Sequence, residues 1–96
     1  MKLAQALHDA GKPLVVVLMN GRPITINWLD RYASAIVETW WGNEFFGAAV
    51  ADVLFGDYKP TGKLSFSWPR SMDQIPINVG DAKYDPLFAY GFGLTY

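Results

Sequence analysis

The chain has 96 residues, enough for one small domain at most, and a chain of this length buries only about 60 to 65% of its unfolded surface. Half of its residues are hydrophobic, with four Trp, five Tyr and six Phe, so part of this apolar surface is expected to meet protein outside the chain. A net charge of −1 excludes the basic footprint of a nucleic-acid-binding domain or of an anionic-membrane binder, and the lack of cysteine excludes disulfides and zinc-thiolate sites.

The N-terminal part predicts a helix, a strand and a second helix. Apolar side chains recur at helical spacing in residues 2–10, and Gly11 just beyond predicts the end of that helix. The stretch "LVVVLM" (14–19) is apolar and β-branched without alternation, which predicts a parallel strand covered on both faces. Asn27 is predicted to cap a short helix that runs through Tyr32.

Two more strands and the clearest helix follow. "AIVETWW" (35–41) predicts a second strand, and the apolar ladders that start at Phe45 predict a helix ended by Gly56. "KLSFSW" (63–68) alternates apolar and polar residues, which predicts a half-buried strand near a sheet edge. The repeated order of helix and strand predicts the α/β class, layered α/β/α with a mainly parallel sheet. From residue 70 to residue 96 no regular period remains, which is typical of a functional loop or a segment that wraps a neighbouring surface.

Nucleotide and metal chemistry are disfavoured by the sequence. In "GDYKPTGK" five residues separate Gly56 from Gly62, and Leu64 follows Lys63, whereas a phosphate-binding loop needs four residues and a hydroxyl side chain. His8 is the single histidine, and we expect it on an exposed helix face rather than at a metal or in a catalytic triad. We predict no metal and no cofactor.

The order and spacing of several motifs resemble the C-terminal α/β sandwich domain of family 3 glycoside hydrolases, the β-glucosidases and exo-β-glucanases. The motifs that carry the resemblance run through most of the chain: Gly11-Lys12-Pro13, Asn20-Gly21-Arg22-Pro23, Ala35-Ile36 leading to Trp40, "ADVLFGDY" (51–58), Gly62-Lys63-Leu64, Pro69-Arg70-Ser71, Asp73-Gln74-Ile75-Pro76 and "YGFGLTY" (90–96). The stretch "NVGDAKYDPLF" (78–88) looks most like the exo-glucan hydrolase branch. One departure is "WWGNEFFG" (40–47), which places Glu44 one position earlier than the family pattern.

The resemblance implies that this chain is the later half of the sandwich. Family members combine a barrel domain that bears an Asp nucleophile with a sandwich whose earlier half bears an acid/base Glu, and no residue here matches either carboxylate. We therefore predict one partial domain over residues 1–96, with an α/β core in 1–69 and an irregular C-terminal wrap in 70–96. We predict no catalytic residue in the chain and no activity from it alone, because retention requires a carboxyl pair.

Substrate-binding candidates come from the irregular tail, since loops carry most binding residues. Asp81, Tyr84 and Asp85 are the predicted candidates, although Asx-turns are the favoured role for the two aspartates. Glu38, in an otherwise apolar strand, is predicted to be a satisfied or edge-facing carboxylate. The remaining aromatic residues fit either sugar stacking or packing: Trp40, Trp41, Trp68, Phe88, Tyr90 and Phe92.

Two functions of different classes remain open at the level of sequence. One is the terminal part of a β-glucosidase or exo-β-glucanase, whose partners are the barrel, the first half-sandwich and a β-glucoside or β-glucan. The other is a non-catalytic module that binds carbohydrate or protein. We predict no nucleic-acid or membrane partner, and self-association through unpaired apolar strands. Neither a signal peptide nor a membrane span is predicted, so the compartment stays open.

Overall fold

The computed structural model describes residues 2–95. Its elements, in chain order, are α1 (Lys2–Asp9), β1 (Val15–Leu18), α2 (Asn27–Tyr32), β2 (Ala35–Glu38), α3 (Phe46–Leu54) and a single 3₁₀ turn, η1 (Met72–Gln74). These residues divide into two compact units. Unit 1 comprises Met1–Arg22 and Ile26–Trp41, and unit 2 comprises Pro23–Thr25 and Gly42–Tyr96. Segment 70–96 thus shares a unit with α3, and the prediction of one partial domain with a core and a wrap stays a prediction.

A parallel sheet forms the centre of unit 1, which confirms the α/β class. β1 and β2 pair in parallel, with Val15 opposite Ala35 and Leu18 opposite Glu38. Each strand is followed or preceded by a helix, because parallel neighbours require a crossover connection. The crossover here carries α2 and contributes two of the deeply buried side chains, Ile26 just before the helix (3% exposed) and Leu29 within it (6% exposed).

One face of this sheet is open, contrary to the prediction that β1 is covered on both faces. Val15 and Val17 are 52% and 36% exposed, while Val16 and Leu18 on the other face are half-buried. Parallel sheets are normally covered by helices on both faces. Within the described residues, the Val15–Val17 face of β1 is therefore bare.

The helices of unit 1 meet through aromatic rings. His8 of α1 lies edge-on to Tyr32 and Trp28 of α2, with ring centroids 5.1 Å and 5.5 Å apart. The prediction of a histidine on an exposed helix face was therefore wrong in part, because the imidazole is half-buried against these rings. The prediction that Asn27 caps α2 was also wrong. Ile26, which is buried, occupies the N-cap position, and its apolar side chain offers no hydrogen bond to cap the helix.

The end of β2 also differs from its prediction. β2 stops at Glu38 rather than at residue 41, since Trp40 adopts a left-handed backbone conformation with φ of 57° that no strand can continue. α1 and α3, by contrast, begin and end close to their predicted bounds. Gly11 and Gly56 follow them with φ of 82° and 85°, as expected of glycines that end helices.

The predicted strand 63–68 does not form as a regular strand in unit 2. Antiparallel contacts to the tail occur at its two ends, at Leu64, whose N–H donates to the Phe92 carbonyl (2.9 Å), and at Trp68, which bridges Phe88. Between these ends Phe66 is 56% exposed, so the predicted alternation fails. The physical reason lies in the partner segment, where a turn closed by the Phe92 N–H and the Ala89 carbonyl (3.0 Å) interrupts the ladder.

Trp68 is the centre of packing in unit 2. Its side chain is 2% exposed, and its indole Nε1 donates to the Ile24 carbonyl at 2.7 Å. A buried indole N–H requires such an acceptor. The packing alternative thus holds for Trp68, whereas Trp41 is 72% exposed. No helix within residues 2–95 is long and apolar enough to cross a membrane.

Candidate functional site

The C-terminal segment holds all three residues predicted to contact substrate. The antiparallel contacts of Trp68 with Phe88 and Leu87 anchor this segment in unit 2. Further along the tail, the Gly91 N–H donates to the Leu64 carbonyl (2.8 Å). Lys63 Nζ donates to the Gly93 carbonyl (3.0 Å). The lysine of the Gly-Lys pair therefore holds the tail in place.

Tyr84 sits at the junction of the tail with the 63–68 segment. Its hydroxyl is 2.7 Å from the Ser67 hydroxyl and accepts from the Tyr90 N–H at 3.2 Å. One phenolic oxygen thus connects two stretches that are distant in sequence. Both contacts use the tip of a half-buried ring, which indicates a structural role for Tyr84.

Asp85 belongs to a small polar network with Arg70 and Gln74. Arg70 Nε lies 3.4 Å from Asp85 Oδ1, with both side chains well exposed, so solvent screening leaves this ion pair little effect on stability. Gln74 bridges the same two residues through their backbones, since its Nε2 donates to the Asp85 carbonyl (2.8 Å) and its Oε1 accepts from the Arg70 N–H. The network ties η1 to the tail.

Asp81 closes a turn. Its Oδ2 accepts from the Asn78 N–H at 2.8 Å, and its own N–H donates to the Asn78 carbonyl at 3.1 Å. This is the local side-chain-to-backbone bonding that aspartate provides in turns. The structure therefore gives Asp81, Tyr84 and Asp85 three different structural partners, and their contact with a sugar stays a prediction.

A second polar constellation lies in unit 1, where β1 and β2 end. Thr39 Oγ1 donates to the Leu18 carbonyl (2.7 Å), and Glu38 Oε1 accepts from the Trp40 N–H (2.9 Å). Glu38 Oε2 and Asn20 Oδ1 are shielded from solvent and have no hydrogen-bond partner. Glu38 was predicted to be satisfied or edge-facing, and only one of its two oxygens is satisfied. The signal in the sequence was a lone carboxylate within a predicted apolar strand.

Metal binding finds no support in the described residues. Across residues 2–95 no group of three or more His, Asp or Glu side chains stands close enough to hold a metal ion. The two described ion pairs, His8 with Asp9 and Arg70 with Asp85, each use a single carboxylate.

These features define an α/β domain with an irregular closing segment. The chain matches the model of the glycosyl hydrolase family 3 C-terminal domain over residues 1–96 and belongs to that family. It is 45% identical over 115 residues to a periplasmic beta-glucosidase of Salmonella typhimurium, and that match covers 98% of this chain. It is 43% identical over 109 residues to a beta-xylosidase of Formosa agariphila, and that match covers 99% of this chain.

A solved structure agrees with this assignment. The exo-1,3/1,4-beta-glucanase from a Pseudoalteromonas species superposes with a TM-score of 0.85 at 46% identity, over 98% of this chain and 12% of that one. The chain spans 15% of the length of each of the two curated relatives. It is thus the counterpart of a small C-terminal part of much larger enzymes.

Proposed function

We propose that this chain is the closing part of a β-glycosidase that removes glucose units from β-glucosides or β-glucans, acting with a barrel domain and the first half of the sandwich. The observation that carries this proposal is the full-length match to a domain that makes up only 15% of its relatives. Because a retaining glycosidase needs two carboxyl groups about 5 to 5.5 Å apart, the catalytic pair is supplied by the rest of the enzyme.

The exposed apolar surface supports the proposal in each unit. In unit 1 the Val15–Val17 face of the parallel sheet is bare, and Met19 is 55% exposed. In unit 2 the α3 sequence "FGAAVADVL" is apolar on all sides apart from Asp52, yet none of its residues is buried. A helix of this composition is normally buried within a larger protein. The preceding part of the parent polypeptide is the proposed cover for both.

Self-association of the isolated chain follows from the same surface. Bare apolar sheet faces and unpaired strand edges favour contacts between copies when their proper cover is missing. We propose that the chain alone forms oligomers and that addition of the missing polypeptide replaces these contacts.

The experiment that tests the proposed function is complementation. We expect the 96-residue chain alone to leave an aryl β-glucoside uncleaved, and a relative truncated just before the matching region to be inactive or nearly so. Mixing or co-expressing the two pieces should restore hydrolysis, because the catalytic carboxylates would then meet a complete sandwich. Hydrolysis is followed by release of the chromogenic aglycone.

Two results would oppose the proposal. Robust cleavage by the chain alone would place a carboxyl pair within it. Failure of complementation, together with saturable binding of a β-glucan by the chain alone, would favour the alternative of a non-catalytic binding module. A chain denatured before mixing serves as the control for non-specific stabilisation.

Asp81, Tyr84 and Asp85 are proposed to shape the substrate side of the assembled enzyme. In the complemented enzyme we expect Asp81→Ala and Asp85→Ala to raise KM by about two- to fivefold if they only shape their turns, and by about 10- to 150-fold if either accepts a sugar hydroxyl, since one lost charged hydrogen bond is worth about 1.5 to 3 kcal/mol. Asp57→Ala, at an exposed position just past α3, is the matched control and should leave KM unchanged.

A further inference from the structure

Trp41 is an exposed aromatic residue at the end of the sheet where ligands of α/β domains bind. Its indole is 72% exposed, and it follows shortly after Glu38, the last residue of β2. β1 and β2 run in parallel, so the loops that leave Leu18 and Glu38 emerge at the same end of the sheet. In open α/β sheets, ligands bind outside the carboxyl ends of the strands. Trp41 therefore occupies the part of unit 1 in which a binding residue is expected.

The indole rests against the loop that follows β1. A β-carbon on Gly21 would clash with the Nε1 edge of the Trp41 ring, so glycine is the residue that leaves room for the indole. Gly21 is not among the glycines with a left-handed backbone, so the close approach of the ring, rather than backbone strain, explains it. Asn20 Nδ2 donates to the Arg22 carbonyl and closes the loop across this glycine. Gly21 thus forms a fixed seat for one edge of the indole.

The chain that carries the indole to this seat is also held. Trp40 has a φ of 57°, in the left-handed region that few residues other than glycine adopt, and such a conformation persists where the surroundings hold it. Its N–H donates to Glu38 Oε1 at 2.9 Å. Thr39 Oγ1 donates to the Leu18 carbonyl at 2.7 Å, which ties the turn to the end of β1. A binding residue held in this way loses little conformational freedom when a ligand arrives.

The surroundings of Trp41 differ from the apolar surfaces that the missing polypeptide is proposed to cover. The Val15–Val17 face is a continuous aliphatic surface. The seat of Trp41 instead lies between Asn20 and the exposed Arg22, whose guanidinium carries five hydrogen-bond donors. A β-linked glucose residue has flat faces lined by C–H groups and a rim of hydroxyl groups. An exposed indole beside polar side chains matches both parts of such a ring.

We propose that Trp41 is a glucan-binding residue, whose indole stacks on a β-linked glucose residue while the sugar hydroxyls bond to polar groups of the Gly21 loop. The proposal rests on the proposed function, because that function makes β-glucans the substrate of the whole enzyme. Packing against the missing polypeptide is the competing role of an exposed Trp. The two roles have different requirements, since packing needs apolar volume of about the right size, whereas stacking needs a flat aromatic face.

Binding is tested on the 96-residue chain by native electrophoresis in gels that contain a soluble mixed-linkage β-glucan. We expect the glucan to retard the unchanged chain, and Trp41→Ala to weaken binding by about two- to tenfold, as for the loss of one aromatic contact. Trp41→Tyr, which keeps a flat ring, should retain most of the binding, and Trp41→Leu, which keeps only apolar volume, should not. Gels with dextran, an α-linked glucan, control for sieving by the polymer. Far-ultraviolet circular dichroism checks that each variant is folded.

The seat gives a second test that leaves the indole in the chain. Gly21→Ala places a methyl group where the Trp41 ring lies, so the ring must move away and binding should weaken although Trp41 is unchanged. Gly47→Ala is the matched control, because a β-carbon at this position in α3 meets no atom within 4 Å and the substitution adds the same methyl group. It should bind the glucan as the unchanged chain does.

Three results would overturn the proposal: no retardation of the unchanged chain, equal retardation of Trp41→Ala, or equal binding by Trp41→Leu and Trp41→Tyr. The last of these would assign Trp41 to packing. Complementation tests the proposed function separately, because gel retardation needs no barrel domain. If complementation failed while the chain bound β-glucan through Trp41, the proposed function would fall and the role of Trp41 would stand. Successful complementation by a chain that binds no glucan would give the reverse.

Discussion

Trp68→Ala is expected to remove the cooperative fold of unit 2. The substitution empties the site of a side chain that is 2% exposed, and truncation of a buried Trp costs about 3 to 5 kcal/mol. It also leaves the Ile24 carbonyl without the indole donor, which adds about 1 kcal/mol or more. A loss of this size is comparable with the whole stability of a small domain, about 5 kcal/mol at the low end. Thermal unfolding followed by near-ultraviolet circular dichroism measures the effect.

Two further variants separate packing from hydrogen bonding at this position. Trp68→Phe keeps most of the apolar volume and loses the Nε1 donor. Its stability should therefore lie between that of the unchanged chain and that of Trp68→Ala. Trp41→Ala is the matched control, because that indole is 72% exposed and truncation should shift the free energy of unfolding by only about 0.5 kcal/mol. Equal effects of Trp41→Ala and Trp68→Ala would contradict the assignment of Trp68 to the core.

Val17→Lys is expected to weaken both self-association and complementation. Val17 is 36% exposed on the bare sheet face, so a lysine there can reach water in the isolated chain. We expect sedimentation to show a shift toward monomer. In the complemented enzyme the same lysine would be buried without a partner, and hydrolysis should fall by at least about tenfold, which corresponds to about 1.4 kcal/mol of assembly free energy.

Gln5→Lys is the control for the added charge, because Gln5 is an exposed polar residue of α1. It should alter neither self-association nor complementation. If Val17→Lys left complementation intact, the Val15–Val17 face would not be the surface covered by the rest of the enzyme. If it left self-association intact, oligomers would form through another surface.

Local patterns predicted the helices of this chain well. α1 and α3 follow from the spacing of their apolar residues and from Gly11 and Gly56, because these signals act within a few residues of chain. The starts of β1 and β2 follow from β-branched runs in the same way. The family also follows from sequence, since motifs at fixed spacing need no knowledge of which residues touch.

Burial and distant contacts decided the rest. The 63–68 segment has the alternation of a strand, yet its ladder is broken by a turn more than twenty residues away at Ala89 and Phe92, which no local pattern reports. The exposure of Val15 and Val17 is not visible in the run "LVVVLM", because its residues are the same whether or not another element covers this face. Thr39 Oγ1 reaches the Leu18 carbonyl, 21 residues earlier in the chain, only because β1 and β2 end side by side. The sequence by itself determined which segments are apolar and which family they belong to, because both are properties of residue order. Only the tertiary structure decided which side chains are buried, paired or left exposed, because each of those states depends on residues far apart in the chain.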